Sequence, residues 1–244
     1  MSAPWLALHG FGGSGADFGL LADRVPMCCP DLLGHGTEPA PVAVEAYSVD
    51  AVVARLLKAH PGEHAIIGYS MGGRVALHLA LAAPERVSRL VLVGATPGLE
   101  GDQAEARRRS DEALAAQIEA HGSAWFARTW PEVPIIRSQE RIAAPWRTEL
   151  QARRAMQSEH GLAGALRGMG TGAMPCVWGR LAELRCPVLL VTGEEDTKFT
   201  AIAQRMLPLL PNAQHAILPG AGHCAHLEAP DAFARALEAW AATA

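Results

Sequence analysis

A serine at the centre of residues 68–72 has the surroundings of a catalytic group. The five residues read Gly-Tyr-Ser-Met-Gly, with Ser70 in the middle, and they match the pattern G-x-S-x-G. In that pattern the serine occupies a strained turn between a strand and a helix, which holds its hydroxyl above the edge of a sheet. An apolar run precedes the motif and apolar residues at helical spacing follow it. We therefore expect Ser70 to be catalytic rather than an inert turn serine.

A serine hydroxyl needs a histidine to take its proton, and that histidine needs an acid to fix its tautomer. His223 is the preferred histidine because it follows the last predicted strand, in a loop with two glycines. Asp196 lies just past the preceding predicted strand. The nearest alternatives are His226 for the base and Glu194 or Glu195 for the acid. With the preferred residues, the order along the chain is serine, aspartate, histidine, which is one of the orders known for catalytic triads.

An anion that develops beside Ser70 requires backbone N–H donors in fixed positions. Met71 begins the helix after the serine, and its N–H is expected to point into the same space. The second donor is expected from the loop after the first strand, where the chain reads His-Gly-Phe-Gly. We select the N–H of Phe11 as this donor. His9 is expected to bond to backbone near that loop, and His35 to pack within its own loop.

Strands and helices alternate towards both ends of the chain. That alternation is typical of a mostly parallel sheet flanked by helices. Residues 99–180 differ, because they contain no obvious strand, several helical segments, and eleven arginines against ten acidic residues. We predict an α/β core of residues 1–98 and 181–244. Residues 99–180 are predicted to form a helical cap over the carboxyl ends of the strands, where ligands bind in such sheets.

Composition excludes several classes of protein. The formal net charge of -4 argues against non-specific nucleic-acid binding. The five cysteines are odd in number and lack C-x-x-C spacing, which disfavours a zinc site or a disulfide framework and favours a reducing cytoplasm. No signal peptide is recognised, and no apolar stretch approaches the ~18 residues of a membrane span, so membrane insertion is not expected. We expect a monomer or a small homo-oligomer.

The chain resembles the α/β-hydrolase superfamily along its whole length. More narrowly, it resembles the 2-succinyl-6-hydroxy-2,4-cyclohexadiene-1-carboxylate (SHCHC) synthase, or MenH, family of menaquinone biosynthesis. Residues 68–74 carry the tyrosine and arginine typical of that family. The other segments that resemble it cover its strand-to-cap junction, its cap, and its acid and histidine loops; they are residues 94–99, 107–111, 166–178, 193–199 and 221–228. The resemblance implies an α/β-hydrolase fold with a helical cap.

Members of that family remove pyruvate from a cyclohexene that carries an enolpyruvyl ether and a succinyl side chain. The resemblance therefore implies an elimination rather than a hydrolysis. In it, Ser70 with His223 would abstract a ring proton, Asp196 would support the histidine, and the oxyanion hole would stabilise charge on the succinyl carbonyl. The resemblance implies neither a metal nor an organic cofactor.

Such a small-molecule polycarboxylate carries three carboxylates, which require planar, permanently charged partners. Arg74 lies four residues after the serine, one helical turn on, and can face the pocket. By resemblance, the arginines of the family's cap correspond to Arg107 and Arg154, and an aromatic residue of that cap corresponds to Trp130. Tyr69, next to the serine, could reach the substrate with its hydroxyl. These five residues are the predicted substrate-binding set.

Two other functions stay open. The same triad could serve a carboxylesterase, a thioesterase or a C–C bond hydrolase acting on a small substrate. A non-catalytic ligand-binding relative of the fold is the third hypothesis, and the intact serine, aspartate and histidine set argues against it. The arginine-rich cap distinguishes the elimination from the hydrolase alternatives, because a neutral ester gains nothing from several buried guanidinium groups.

Overall fold

Six parallel strands form the centre of the structure. The computed structural model describes residues 5–22 and 24–243, so residues 1–4, 23 and 244 of the predicted core lie outside the described residues. The strands are β1 Trp5–Leu8, β2 Met27–Cys28, β3 His64–Tyr69, β4 Val87–Val93, β5 Val188–Gly193 and β6 Ala213–Leu218. Their order is β2-β1-β3-β4-β5-β6, and each neighbouring pair is parallel. The parallel α/β sheet predicted from the sequence is confirmed.

The central strands are buried on both faces, which explains their composition. All six residues of β5, Val-Leu-Leu-Val-Thr-Gly, are buried, as are the last four residues of β4. Strands covered by helices on both faces form continuous apolar runs rather than an alternation of apolar and polar residues. The strand registers pair Tyr69 with Val93 and Val93 with Val191. The carboxyl ends of β3, β4 and β5 therefore lie side by side.

Helices cover the sheet and occupy the segment between β4 and β5. The α-helices of the described chain are α1 Gly19–Ala22, α2 Val49–Ala59, α3 Met71–Ala82, α4 Gly101–His121, α5 Ser123–Thr129, α6 Ala144–Ala155, α7 Glu159–Met169, α8 Thr197–Met206, α9 Ala225–Glu228 and α10 Pro230–Ala241. Residues 94–187, all of them described, contain α4 to α7 and no strand. No helix in the described ranges is long and apolar enough to cross a bilayer.

Each face of the sheet has its own apolar core. Successive residues of a strand point to opposite faces, so Leu92 lies in one core and Val93 in the other. A third cluster lies among α4, α5 and α7 and includes Ile118, Phe126 and Leu162. The helical segment between β4 and β5 thus has apolar packing of its own.

Helix α7 packs against the loop after β2 through glycines. A Cβ on Gly161 would overlap the carbonyl oxygen of Gly34, and a Cβ on Gly164 would lie 2.5 Å from Cζ of Tyr47. Tyr47 is fully buried, and Gly34 has a φ of 79°, in the region that favours glycine. The missing side chains let the backbone of α7 approach this loop directly. The contact extends to the end of α7, because a Cβ on Gly168, next to Met169, would lie 2.5 Å from Cβ of Tyr47.

Gly161→Ala should lower the free energy of unfolding by about 1 to 3 kcal/mol, because the added methyl group meets backbone that has no rotamer to change. Helix propensity alone would favour alanine and give the opposite sign. Gly179→Ala is the control, since a Cβ there meets nothing within 4 Å. Urea unfolding of both variants measures the effect. A Gly161→Ala protein as stable as Gly179→Ala would contradict the packing argument.

Candidate active site

Ser70 lies on a strained turn between β3 and α3. Its φ is 51° and its ψ is -107°, and within the described ranges it is the only non-glycine residue with a positive φ. A Cβ on Gly68 would lie 2.6 Å from the carbonyl oxygen of Gly72, and a Cβ on Gly72 would overlap that of Leu8. Strain of this kind costs about 1–3 kcal/mol and persists where the surrounding structure holds it. The hydroxyl is therefore fixed at the carboxyl end of β3.

Ser70, His223 and Asp196 form a hydrogen-bonded chain. The Ser70 hydroxyl donates to Nε2 of His223 at 3.0 Å, and Nδ1 of His223 donates to Oδ2 of Asp196 at 2.7 Å. His223 and Asp196 are buried, and the second oxygen of Asp196 accepts from the N–H of Phe199 at 3.2 Å. The aspartate contact assigns the imidazole proton to Nδ1, so Nε2 is left to accept the serine proton. This arrangement suits a serine that acts as a base or a nucleophile.

The alternative bases and acids have other surroundings. Burial lowers the pKa of His226 to about 3, and its ring centroid lies 4.6 Å from that of Tyr69. Glu194 accepts from a backbone N–H of the loop after β6, and Glu195 pairs with Arg141 at 2.5 Å. The structure thus brings Asp196, rather than either glutamate, against the histidine that contacts the serine.

The two residues predicted for the oxyanion hole line the same cavity as the serine. Met71 is the first residue of α3, and the first N–H groups of a helix have no partner within it. Phe11 lies in the loop after β1 and makes edge-on contacts with the rings of His35 and Trp130, at centroid distances of 5.8 and 5.3 Å. The pair therefore flanks the serine from two separate elements.

Two buried histidines hold the loop after β1. Nδ1 of His9 donates to the carbonyl of Gly10 at 2.8 Å, and its Nε2 accepts from the N–H of Leu32 at 2.9 Å. His35 lies edge-on to the ring of His9, at a centroid distance of 5.1 Å. Burial lowers the pKa of His9, and burial together with the nearby charge of His9 lowers the pKa of His35 to about 3. Both rings are neutral near pH 7 and act as packing and hydrogen-bonding groups.

A cavity of about 640 Å³ opens over the serine. Its wall contains three cationic side chains, Arg74, Arg107 and Lys198, together with Trp130. The apolar part of the wall comes from both the sheet side and the helical segment; it includes Phe11, Leu114, Ile135, Leu166 and Phe199. Within the described ranges, no group of three or more His, Cys, Asp or Glu side chains could hold a metal ion. The cavity therefore offers cations and apolar surface beside a reactive hydroxyl.

In this cavity Asp111 pairs with Arg107 and acts on Arg74 through its charge. Nη2 of Arg74 donates to the carbonyl of Met169 at 2.9 Å, and Nε of Arg107 donates to Oδ1 of Asp111 at 2.7 Å. Burial, aided by the charge of Arg107, lowers the pKa of Arg74 to about 10, so the group stays a cation at pH 7. Oδ2 of Asp111 is buried and finds no hydrogen-bond partner in the described chain. Two guanidinium groups thus share one internal counter-charge.

Tyr69 and Arg154 lie on another side of the serine. They line a second cavity, of about 40 Å³, to which Ser70 and Trp130 also contribute. Nη2 of Arg154 donates to Oε1 of Gln139 at 2.7 Å, while its buried Nε is unpaired among the described residues. Burial lowers the pKa of Arg154 and raises that of Tyr69. The predicted substrate-binding residues are thus divided between two adjacent cavities.

Three residues of these cavities had no role assigned from the sequence. Lys198 lies two positions after the triad aspartate, at the start of the helix that follows it, and this position was the available signal. Asp111 follows Arg107 by four residues on one helix, and that spacing predicts a pair on one face. Gln139 carried no signal, because its place depends on how the short 3-10 segment Arg137–Arg141 packs against α9.

The buried histidines predict a loss of stability in acid. The unfolded chain binds a proton at each histidine near pH 6.5, whereas burial lowers the folded pKa of His226 to about 3. Unfolding then takes up a proton below pH 6.5, so stability falls as the pH falls. His226→Gln should lose about 1 kcal/mol less than the wild type between pH 7.5 and 5.5. Urea unfolding at both pH values measures this difference, and equal losses would show that the ring is protonated when folded.

Comparisons with known proteins agree with this architecture. A family model described as the alpha/beta hydrolase family matches residues 6–236. A Bacillus subtilis protein, provisionally named a 2-succinyl-6-hydroxy-2,4-cyclohexadiene-1-carboxylate synthase, is 40% identical over 241 residues, which cover 94% of this chain and 87% of the relative. A Serratia proteamaculans protein named 2-succinyl-6-hydroxy-2,4-cyclohexadiene-1-carboxylate synthase is 31% identical over 242 residues, which cover 96% of this chain and 91% of the relative.

A solved structure of MenH from S. aureus superposes with a TM-score of 0.89 and 32% identity, and covers 96% of this chain and 91% of that one. The matched family model spans both the serine turn and the loop that carries the histidine. This chain belongs to the alpha/beta hydrolase family.

Proposed function

We propose that this protein is an SHCHC synthase of menaquinone biosynthesis. It would eliminate pyruvate from 2-succinyl-5-enolpyruvyl-6-hydroxy-3-cyclohexene-1-carboxylate. The relatives from Bacillus subtilis and Serratia proteamaculans carry the name of this synthase. The observation that carries the proposal is one cavity that combines Ser70 with Arg74, Arg107 and Lys198. Such a cavity suits a base that acts on a tricarboxylate.

Ser70, His223 and Asp196 are assigned to the removal of the ring proton. The serine oxygen takes the proton at C2, beside the succinyl carbonyl, while its own proton passes to Nε2 of His223. The 3.0 Å and 2.7 Å hydrogen bonds of this chain support the assignment. Asp196 stabilises the imidazolium that forms, as in other triads. The step leaves an electron pair that is delocalised into the succinyl carbonyl.

The N–H groups of Phe11 and Met71 are assigned to that carbonyl oxygen. Donors fixed where charge develops stabilise the transition state more than the ground state. The enolate then returns its electrons through the ring double bond, and the C5–O bond to the enolpyruvyl group breaks. The second ring double bond forms, and the enolpyruvyl group leaves as the enolate of pyruvate. The imidazolium of His223 gives its proton to that enolate, which becomes pyruvate, while Ser70 keeps the proton taken from C2. Atoms and charges balance without water, which distinguishes this elimination from hydrolysis.

The carboxylates of the substrate are assigned to the two adjacent cavities. Arg74, Arg107 and Lys198 offer charges in the larger one, and Arg154, with its unpaired Nε, and Tyr69 offer donors in the smaller one. Each charge-assisted hydrogen bond contributes roughly 1.5–3 kcal/mol. Trp130, which lines both cavities, is assigned to the ring.

The helical segment of residues 99–180 is proposed as a cap on a core of residues 1–98 and 181–244. Its support is the mixed origin of the cavity wall: Arg107 and Leu166 come from α4 and α7, whereas Lys198 and His223 follow β5 and β6. A cap on the carboxyl ends of the strands would exclude water from the enolate. The cytoplasmic location and the monomeric or small homo-oligomeric state stay predictions of the sequence.

Ser70→Ala should reduce the rate of pyruvate release by about 10³-fold or more, as removal of a triad member does in other enzymes. The fold should be retained, because the change removes only a hydroxyl. A coupled assay that follows pyruvate through NADH absorbance measures the rate. Near-wild-type pyruvate release by Ser70→Ala would exclude the serine as the base.

Arg74→Ala should reduce pyruvate release by about tenfold or more, because it removes at least one charge-assisted hydrogen bond to a carboxylate. Hydrolysis of a nitrophenyl ester, slow in the wild type, should be nearly unchanged. Arg109→Ala is the matched control, since Arg109 is 68% exposed and pairs with Glu105. It should resemble the wild type in both assays.

Assays with the enolpyruvyl substrate and the nitrophenyl ester also decide between the synthase and the alternative functions. Fast ester turnover without pyruvate, indifferent to Arg74→Ala, would favour the carboxylesterase, thioesterase or C–C hydrolase alternative. Turnover of neither substrate, with ligand binding retained, would favour the non-catalytic relative.

A further inference from the structure

Glu228 holds the backbone on both sides of His223. It is the last residue of α9, and its side chain is 0% exposed. Oε1 of Glu228 accepts from the N–H of Cys224 at 3.0 Å, and Oε2 accepts from the N–H of Gly222 at 2.6 Å. These two residues flank His223 in the sequence. One carboxylate therefore binds the peptide group that follows His223 and the peptide group that precedes Gly222.

The same carboxylate is joined to the 3-10 segment Arg137–Arg141. The Ser138 hydroxyl donates to Oε1 of Glu228 at 2.8 Å, and Nη1 of Arg141 lies 3.9 Å from Oε2. Arg141 also pairs at 2.5 Å with Glu195, the neighbour of the triad aspartate. One segment thus connects the loop that carries the histidine with the loop that carries the acid.

A cavity of about 250 Å³ lies behind the triad and gives the histidine loop room to move. Its wall includes Asp196, Gly222 and His223 on one side, and Ser138 and Arg141 on the other. Glu228 does not line this cavity, but it joins Ser138 to Gly222, one residue from each side of it, and this tether restrains the loop. A misplacement of about 1 Å in a reacting group can cost about 10²-fold in rate. The tether is therefore relevant to the chemistry.

We propose that Glu228 is a positioning residue for His223, which holds the imidazole between Ser70 and Asp196 and whose negative charge favours the imidazolium. The proposal rests on the proposed catalytic function of the triad and on no particular substrate. Three donors to one carboxylate suit the ionised group, which only accepts. The charge of Glu228 also acts on the neighbouring side chains, since it helps burial to raise the pKa of Tyr69 and of Cys224.

Other charged or titratable groups surround the same imidazole and stay constant across the variants. They are Asp196 and Glu195 after β5, Lys198 on α8, Tyr69 at the end of β3, Cys224 and His226 beside the histidine, and Arg137, Glu140 and Arg141 in the wall of the cavity of about 250 Å³.

The first test measures the pKa of His223 directly, by NMR of histidine-labelled protein with the His223→Gln spectrum as the assignment. Glu228→Gln removes the charge at nearly constant volume, and it turns one acceptor into a donor that faces an N–H or a hydroxyl. The pKa of His223 should fall by about 0.5–1 unit, because a nearby negative charge favours the imidazolium. Glu228→Asp keeps the charge and should leave this pKa within about 0.3 unit of the wild type.

The second test measures pyruvate release against pH. Glu228→Gln should lower kcat by about tenfold or more with KM within about threefold, and should move the acidic limb of kcat to lower pH. Glu228→Asp should lower kcat, because the shorter side chain holds its carboxylate one methylene farther from the donors. It should not move the acidic limb, because the charge is kept. Ser138→Ala, which loses one of the three donors, should leave the limb in place. Glu63→Gln, an exposed carboxylate on the loop before β3, is the surface control.

A pKa of His223 that is unchanged from the wild type in Glu228→Gln would overturn the proposal. A loss of kcat no larger than the fraction of unfolded protein measured by circular dichroism would also overturn it. If Glu228→Gln does not fold, Glu228→Asp decides, and a wild-type kcat there would overturn the positioning role. The NMR result does not depend on the reaction. Absence of pyruvate release from the wild type would therefore count against the proposed synthase activity and leave this test intact.

Discussion

The positive φ of Ser70 is the constraint on which the rest of the site depends. The strained residue is held by its backbone: its N–H donates to the carbonyl of Val93 on β4 at 2.9 Å, and its carbonyl accepts from the N–H of Arg74 at 3.1 Å. These bonds anchor it to the sheet on one side and start α3 on the other. The turn has no space for side chains, since a Cβ on Gly73 would lie 2.7 Å from Cβ of Ala95. Rigid neighbours rather than local preference therefore keep the hydroxyl in place.

The parallel register brings the other parts of the site to that hydroxyl. The serine follows β3, the aspartate follows β5 and the histidine follows β6. The strand between them also takes part, because a Cβ on Gly94, just after β4, would lie 2.8 Å from Cε1 of His223. Gly94 has a φ of 55°, so glycine is favoured there for both conformation and space. Four adjacent strand ends thus make one surface. The register between β3 and β4 shifts only between His64 and Ala65, at the opposite end of β3, and is continuous from Ala65 to Tyr69.

Sequence reasoning reached the features that depend on local pattern. The parallel sheet follows from alternating strands and helices, and the serine, aspartate and histidine were selected by their places after strands. Features that depend on how helices dock were not predictable in this way. Arg154 lies on α6 and Arg74 on α3, and the cavity that each one lines depends on where α6 docks rather than on spacing in the sequence. The contacts of Glu228 join segments 90 residues apart, and no local spacing announces them.

The electrostatics of the larger cavity favour a polyanion and act against simpler ligands. Arg74 is 8% exposed, and burial, followed by repulsion from Arg107, lowers its pKa, while the charge of Asp111 opposes both effects. Burying the Arg74 cation beside Arg107, whose side chain is 42% exposed, costs free energy unless a counter-charge is present. Asp111 supplies one charge in the absence of a ligand, which lets the arginines be positioned in advance, but one carboxylate cannot compensate all the cations that line the cavity. A neutral ester would leave that imbalance in place and would also displace the water that solvates it. The proposed substrate, with several carboxylates, would remove the imbalance, and a neutral ligand would be disfavoured by the cations that it leaves unpaired.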